Sequence, residues 1–109
     1  MFGLNVASNR LERLRDDIFA GLNELSVLRV ANNSIDTLEP AAFADLALGD
    51  VDLSHNRLTE VPIAIGRLFK LKKIDLSHNK IRFVSRSLNS ILLHHMTHST
   101  WFMKRNKMA

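Results

Sequence analysis

Aliphatic side chains stand at fixed distances from a set of asparagines along most of the chain. Asn9, Asn33, Asn56 and Asn79 recur at intervals of 24, 23 and 23 residues. Two positions after each comes an aliphatic residue: Leu11, Ile35, Leu58 and Ile81. Three positions before each stands another: Val6, Val30, Leu53 and Leu76. Two before those come Leu4, Leu28, Val51 and Ile74, and three before those come Met1, Leu25, Leu48 and Leu71. Leu14, Leu38, Val61 and Val84 follow five residues after each asparagine. The rear of each unit adds Phe19, Phe43, Ile65 and Leu88, then Leu22, Leu46, Leu68 and Ile91. Met1 is the one member of these columns outside Leu, Ile, Val, Phe and Asn. Self-similarity at a short fixed period is the mark of a repeat architecture.

The alternation in Leu28-x-Val30, Val51-x-Leu53 and Ile74-x-Leu76 has the period of a half-buried strand. Each strand is expected to run about three to five residues, the short end of the usual range. The rest of a unit returns the chain to the next strand, so corresponding strands pair in parallel and the aliphatic columns stack into one core. No unit buries its apolar face alone, and stability comes from neighbours. Each buried aliphatic side chain is worth about 1.5–3 kcal/mol. The asparagine falls where the chain turns sharply inward out of the strand, freeing backbone donors and acceptors. A carboxamide supplies both kinds of partner. Its loss leaves buried groups unsatisfied at about 1–3 kcal/mol.

The columns read L-x-x-L-x-L-x-x-N-x-L-x-x-L, a pattern that resembles the leucine-rich repeat family over residues 1–91. The resemblance implies an α/β solenoid, with short parallel strands on its concave face and irregular or short-helical convex segments. It further implies that Asn9, Asn33, Asn56 and Asn79 look inward as a structural ladder, bonding the backbone of their own and adjacent repeats. Ligands of this family most often dock on the concave face. The array divides into repeats 1–24, 25–47, 48–70 and 71–91, followed by a non-repeat tail, 92–109. The first two rear segments are one residue longer and carry Phe19 and Phe43, resembling a class common in extracellular proteins. The third, Val61-Pro62-Ile63-Ala64-Ile65-Gly66-Arg67-Leu68, is closer to a class frequent inside cells. Compartment is therefore left open, with an extracellular or cell-surface parent preferred. Short helical or 3₁₀ turns are expected in these segments.

Variable strand positions point to the concave face and form three rows: Asn5, Arg29, Asp52 and Asp75; Ala7, Ala31, Ser54 and Ser77; Ser8, Asn32, His55 and His78. Adjacent strands lie about 4.8 Å apart. The candidate ligand-binding residues are therefore Arg29, Ala31, Asn32, Asp52, Ser54, His55, Asp75, Ser77 and His78. Small residues in the middle row leave room for a partner. Asp52 and Asp75 form an acidic strip facing Arg29, which would suit a partner presenting Lys or Arg. The competing reading is a solvated face, because Asp-Leu-Ser-His-Asn lies close to a common repeat consensus. Two imidazoles beside two carboxylates are zinc-ligand types, but repetition alone accounts for the pair and no third histidine is fixed there, so no metal or other cofactor is expected. Asn32-Asn33-Ser34 is an N-glycosylation sequon, and a glycan there would obstruct docking on this face.

Charge and composition change the picture mainly at the end of the chain. The net charge is +4. Lys104, Arg105 and Lys107 stand in residues 92–109 without an acid, leaving about +1 for the remainder. The body is thus near neutral, and no nucleic-acid partner is expected for it. The tail also holds His94, His95, His98, Trp101 and Phe102. It supports an alternative function, contact with an anionic membrane or nucleic acid. His94 and His98 lack the Glu of an H-E-x-x-H site. One period past Leu71, Ile74, Leu76 and Asn79 come His94, Thr97, Ser99 and Phe102, and none continues the columns. Residues 1–6 read neither as a signal peptide nor as the polar cap a solenoid needs. A partial array is therefore expected, with its first strand a possible edge for self-association and membrane attachment only through an anchor elsewhere in a parent protein. Cysteine is absent, which excludes disulfides and thiolate metal sites. Without a glycine-rich phosphate loop, a G-x-S-x-G or a convergent pocket, the chain reads as a protein-binding module with an unidentified protein partner and not as an enzyme.

Overall fold

A computed structural model describes residues 2–82 of the 109, together with the backbone of 100–102. Five parallel strands form one sheet in the order β1 (Phe2–Asn5), β3 (Leu25–Arg29), β5 (Asp50–Asp52), β6 (Lys73–Asp75) and β7 (Thr100–Phe102). The register follows the repeat. Leu4 pairs with Leu28, Leu28 with Val51, and Val51 with Ile74. This apolar column therefore lies in register across the four strands, giving the parallel-strand solenoid that the columns imply, while the register shifts between Phe2 and Gly3, where Leu25 meets Phe2. A second, two-stranded ladder joins β2 (Arg13–Leu14) to β4 (Thr37–Leu38), also in parallel. Two residues are too few to show alternation, so the Leu14 and Leu38 column marks the place of this ladder without revealing it as a strand pair.

Between the sheet and the return segments lies one hydrophobic core. Leu28, Val30, Ile35, Leu48, Val51, Leu53, Ile74, Leu76 and Ile81 are fully buried. Phe19 and Phe43 stack at 6.1 Å with their planes 22° apart, carrying the core into the rear of the first two coils. Ile65 takes the equivalent place in the third. There the return segment forms a four-residue helix, α1 (Ile63–Gly66), with Ala64 and Ile65 facing inward. Pro62 precedes it at φ −65°, where the fixed φ and missing N–H of proline suit a helix start. The first two return segments are turns without helix. Their ends are tied by the Glu39 carboxylate, which accepts from the Asp16 N–H, and the Asp16 carboxylate, which accepts from the Ala41 N–H at 2.7 Å.

Burial is not uniform along the columns. Leu46 and Leu68 are buried, but Leu22, in the same column, is 45% exposed. Leu4, Val6 and Leu11 are half-buried against the core. One flank of the first coil rests on the second, and its other flank has no neighbour among the described residues. The expectation of a buried Leu22 is thereby corrected: its column matches, but burial needs coils on both sides. Leu38 is also only half-buried, within the peripheral β4. Val84, Leu88 and Ile91 lie outside the described residues, as does the rest of the tail with its histidines and Lys104, Arg105 and Lys107. The backbone of Thr100–Phe102 lies beside β6, with Ile74 opposite Trp101. That step is 27 residues, so a search at 23 does not find it.

Candidate functional site: the sheet face

The turn that follows each strand sets the site. Chain direction must reverse inward at once after the strand, and the backbone groups freed there are taken up by the asparagine ladder. Asn56 Oδ1 accepts from the Ile35 N–H at 3.0 Å, while its Nδ2 donates to the carbonyls of Val30, Leu53 and Ser54. Asn79 repeats this one coil on. It accepts from the Leu58 N–H and donates to Leu53, Leu76 and Ser77. Asn33 accepts from the Asn9 and Leu11 N–H groups and donates to Val6, Val30 and Ala31. Each of these three reaches back to the preceding coil as well as its own. Among the described residues no buried side-chain nitrogen or oxygen lacks a partner, consistent with the cost of leaving such groups unmade. Asn9 departs from the expected inward ladder. It is exposed, and its Nδ2 donates only within its own coil, to Val6 and Ala7, because no coil precedes it among the described residues.

Just before each ladder asparagine the backbone adopts a left-handed conformation: Ser8 at φ 60°, Asn32 at 56°, His55 at 54° and His78 at 57°. Short polar residues and histidine occur there far more readily than β-branched ones. Three residues before the left-handed position, Asp52 Oδ1 accepts from both the N–H (3.0 Å) and the hydroxyl (2.7 Å) of Ser54. Asp75 Oδ1 does the same for Ser77, at 2.9 and 2.6 Å. This is an Asx turn, the side chain standing in for a backbone carbonyl. Asn5 Oδ1 likewise accepts from the Ala7 N–H. Ser54 and Ser77 are 6% and 8% exposed, so their hydroxyls serve the turn and offer little surface.

Since successive residues of a strand point to opposite faces, Asn5, Arg29, Asp52 and Asp75 share a face, in register across the four strands. Asn32 lies at its border, where its amide donates to the Ser8 hydroxyl at 3.2 Å, and Ala31 is half-buried. His55 and His78 are neighbours whose rings stack at 4.2 Å with planes 10° apart. Adjacency follows from their column, whereas the parallel stacking is a matter of side-chain rotation.

Arg29 stands in register beside Asp52, with Asp75 one strand further on, but it forms its ion pair with neither. Its guanidinium turns to Asp50 instead, through two bonds of 3.1 and 3.2 Å. Asp50 belongs to a fourth row on the same face, Gly3, Val27, Asp50 and Lys73. This row was missed from sequence, although the period of two places it one strand-step before the Arg29 row. At the entrance to β5 and β6, Gly49 leaves a notch between Ser26 and the lysines Lys70, Lys72 and Lys73, opening a surface hollow of about 410 Å³. Among the described residues no three histidines or acids gather as a metal site.

Comparison with known proteins agrees with this geometry. A family model described as leucine rich repeat matches residues 3–58, and a second of the same description matches 70–95. Tsukushi of Mus musculus is 35% identical over 108 residues, covering 87% of this chain and 30% of its own length. The leucine-rich repeats and immunoglobulin-like domains protein 1 of Homo sapiens is 33% identical, with 81% of this chain and 9% of its own length covered. Podocan-like protein 1 of Mus musculus is 40% identical over 82% of this chain and 16% of its own. The chain thus spans under a third of the length of each of these relatives.

Proposed function

The chain belongs to the leucine-rich repeat family, and on that premise we propose that it binds other proteins through the concave face of its sheet. The observation that carries this reading is the division of labour across each strand. One face of β1, β3, β5 and β6 turns to the core, while the other displays in-register rows that differ from coil to coil: Gly3, Val27, Asp50, Lys73 and Asn5, Arg29, Asp52, Asp75. A regular scaffold with an irregular face is suited to recognition. The residues proposed to meet the partner are Arg29, Ala31, Asn32, Asp52, His55, Asp75 and His78, with Asp50 and Lys73 joining them. Ser54 and Ser77 act beneath them as turn supports.

The test is a photo-crosslinking comparison in the full chain. A crosslinking amino acid at Ala31, on the face, is expected to trap partner proteins that the same group at Ile63, exposed on the rear, does not. Reversing the charge of the face with Asp52→Lys and Asp75→Lys is expected to lower that capture about tenfold, the equivalent of about 1.4 kcal/mol. Crosslinks confined to Ile63, or capture indifferent to charge reversal, would overturn the reading.

A further inference from the structure

The carboxylates on the face are not equivalent. Asp50 is matched by the two guanidinium nitrogens of Arg29. Asp52 and Asp75 stand side by side in register on β5 and β6. Each uses Oδ1 to hold its own serine. Among the described residues neither takes part in an ion pair, Lys73 included. Two like charges on adjacent strands repel, so this half of the face is set for a cation. Just past the buried serines, the imidazoles of His55 and His78 lie flat on one another at 4.2 Å. The same half therefore joins two half-buried carboxylates to a stacked pair of planar rings.

A lysine ammonium would answer the charge alone. A guanidinium is planar, presents several donors in a fixed fork and stacks on flat rings. We propose that the β5–β6 half of the sheet face takes an arginine side chain from a protein partner, its guanidinium bridging Asp52 and Asp75 and its flat surface or stem lying along His55 and His78. This rests on the docking reading above and adds the chemistry of the partner. The other half of the face carries a different character: Gly3, Val27, Ala7 and Ala31 are small or apolar, and Arg29 is already paired.

The chain itself supplies the control variants. Asn5 fills the Asp52 row and accepts the same turn hydrogen bond, so Asp52→Asn with Asp75→Asn removes charge while keeping the turn. Asn32 fills the His55 row at φ 56°, so His55→Asn with His78→Asn removes the rings while keeping the left-handed backbone. The probes are three capped pentapeptides, Gly-Ser-Xaa-Ser-Gly, in which Xaa is arginine, lysine or citrulline, titrated into the isotope-labelled full chain and followed by nuclear magnetic resonance. The arginine peptide is expected to shift the signals of Asp52, Asp75, His55 and His78, with an affinity about two- to fivefold above that of the lysine peptide, the size of an exposed stacking contribution. Citrulline, of the same shape but uncharged, should leave them in place. The double Asn variant at the acids should abolish the response, and the double Asn variant at the histidines should bring arginine down to the level of lysine. Equal response to arginine and lysine, shifts centred elsewhere, or no shifts at all would overturn the arginine inference. If crosslinking at Ala31 still captures partners, the docking reading survives that failure.

Discussion

After β3 the chain leaves the sheet through Arg29-Val30-Ala31-Asn32-Asn33, whereas after β5 and again after β6 it leaves through Asp-Leu-Ser-His-Asn. The backbone problem is the same in all three turns. In the later two, an acid takes the N–H and hydroxyl of a buried serine, and the left-handed position carries a histidine that stacks on its neighbour. In the earlier turn there is neither acid nor hydroxyl, and Arg29 is released to pair with Asp50. A similar contrast separates the first coil from those behind it. Leu22 and Asn9 fit their columns as well as Leu46 and Asn56 do, yet the former pair is exposed and the latter buried. Column membership fixes where a side chain is placed in its coil, while its energetic weight depends on the coils on either side.

The sharpest break of that comparison is in the core. Leu53→Ala is expected to destabilise the chain by about 2–5 kcal/mol through transfer loss and cavity formation, and Leu22→Ala by no more than about 0.5 kcal/mol, as befits an exposed site. Denaturant titration of both variants checks the ratio, and equal costs would mean that Leu22 is covered in solution. Next comes the ladder. Asn56→Ala leaves the Ile35 N–H and carbonyls of two coils without their partner, at about 3 kcal/mol, while Asn9→Ala should cost about 1 kcal/mol or less. Thermal melts separate the two. The smallest effect lies in the turns. Ser77→Ala removes a 2.6 Å bond to a carboxylate and should cost about 1.5 kcal/mol. Ala31→Ser adds a hydroxyl to the turn that has no acid to receive it, so stability should stay within about 0.5 kcal/mol.

The core strands and their register were legible because Leu28, Val51 and Ile74 carry the whole signal in their own identities and spacing. Stacked imidazoles were half legible. His55 and His78 share a column and so must be neighbours, but rotation about the side-chain bonds is invisible in a sequence. The partner of Arg29 was not legible for a related reason. Asp50 and Asp52 lie on the same face within reach of one long side chain, and the Asp52 carboxylate is engaged by Ser54 while that of Asp50 is not. Reading the hydroxyl of Ser54 as the natural ligand of Asp52 would have left Asp50 for Arg29. Exposure of Leu22 and Asn9 is not a property of those residues at all, since it depends on what stacks against the first coil.

The left-handed residue that follows β1, β3, β5 and β6 restricts the vocabulary in which the face is written. Ser8, Asn32, His55 and His78 all hold φ between 54° and 60°, a region that disfavours valine, isoleucine and threonine. Diversification of that row is thus confined by the backbone to a few compact polar side chains, glycine and imidazole. The rows inside the strands lie under no such left-handed restriction. Over the course of sequence drift, one border of the surface keeps a narrow chemical palette while its middle is rewritten, and a library built on this scaffold would be best randomised accordingly.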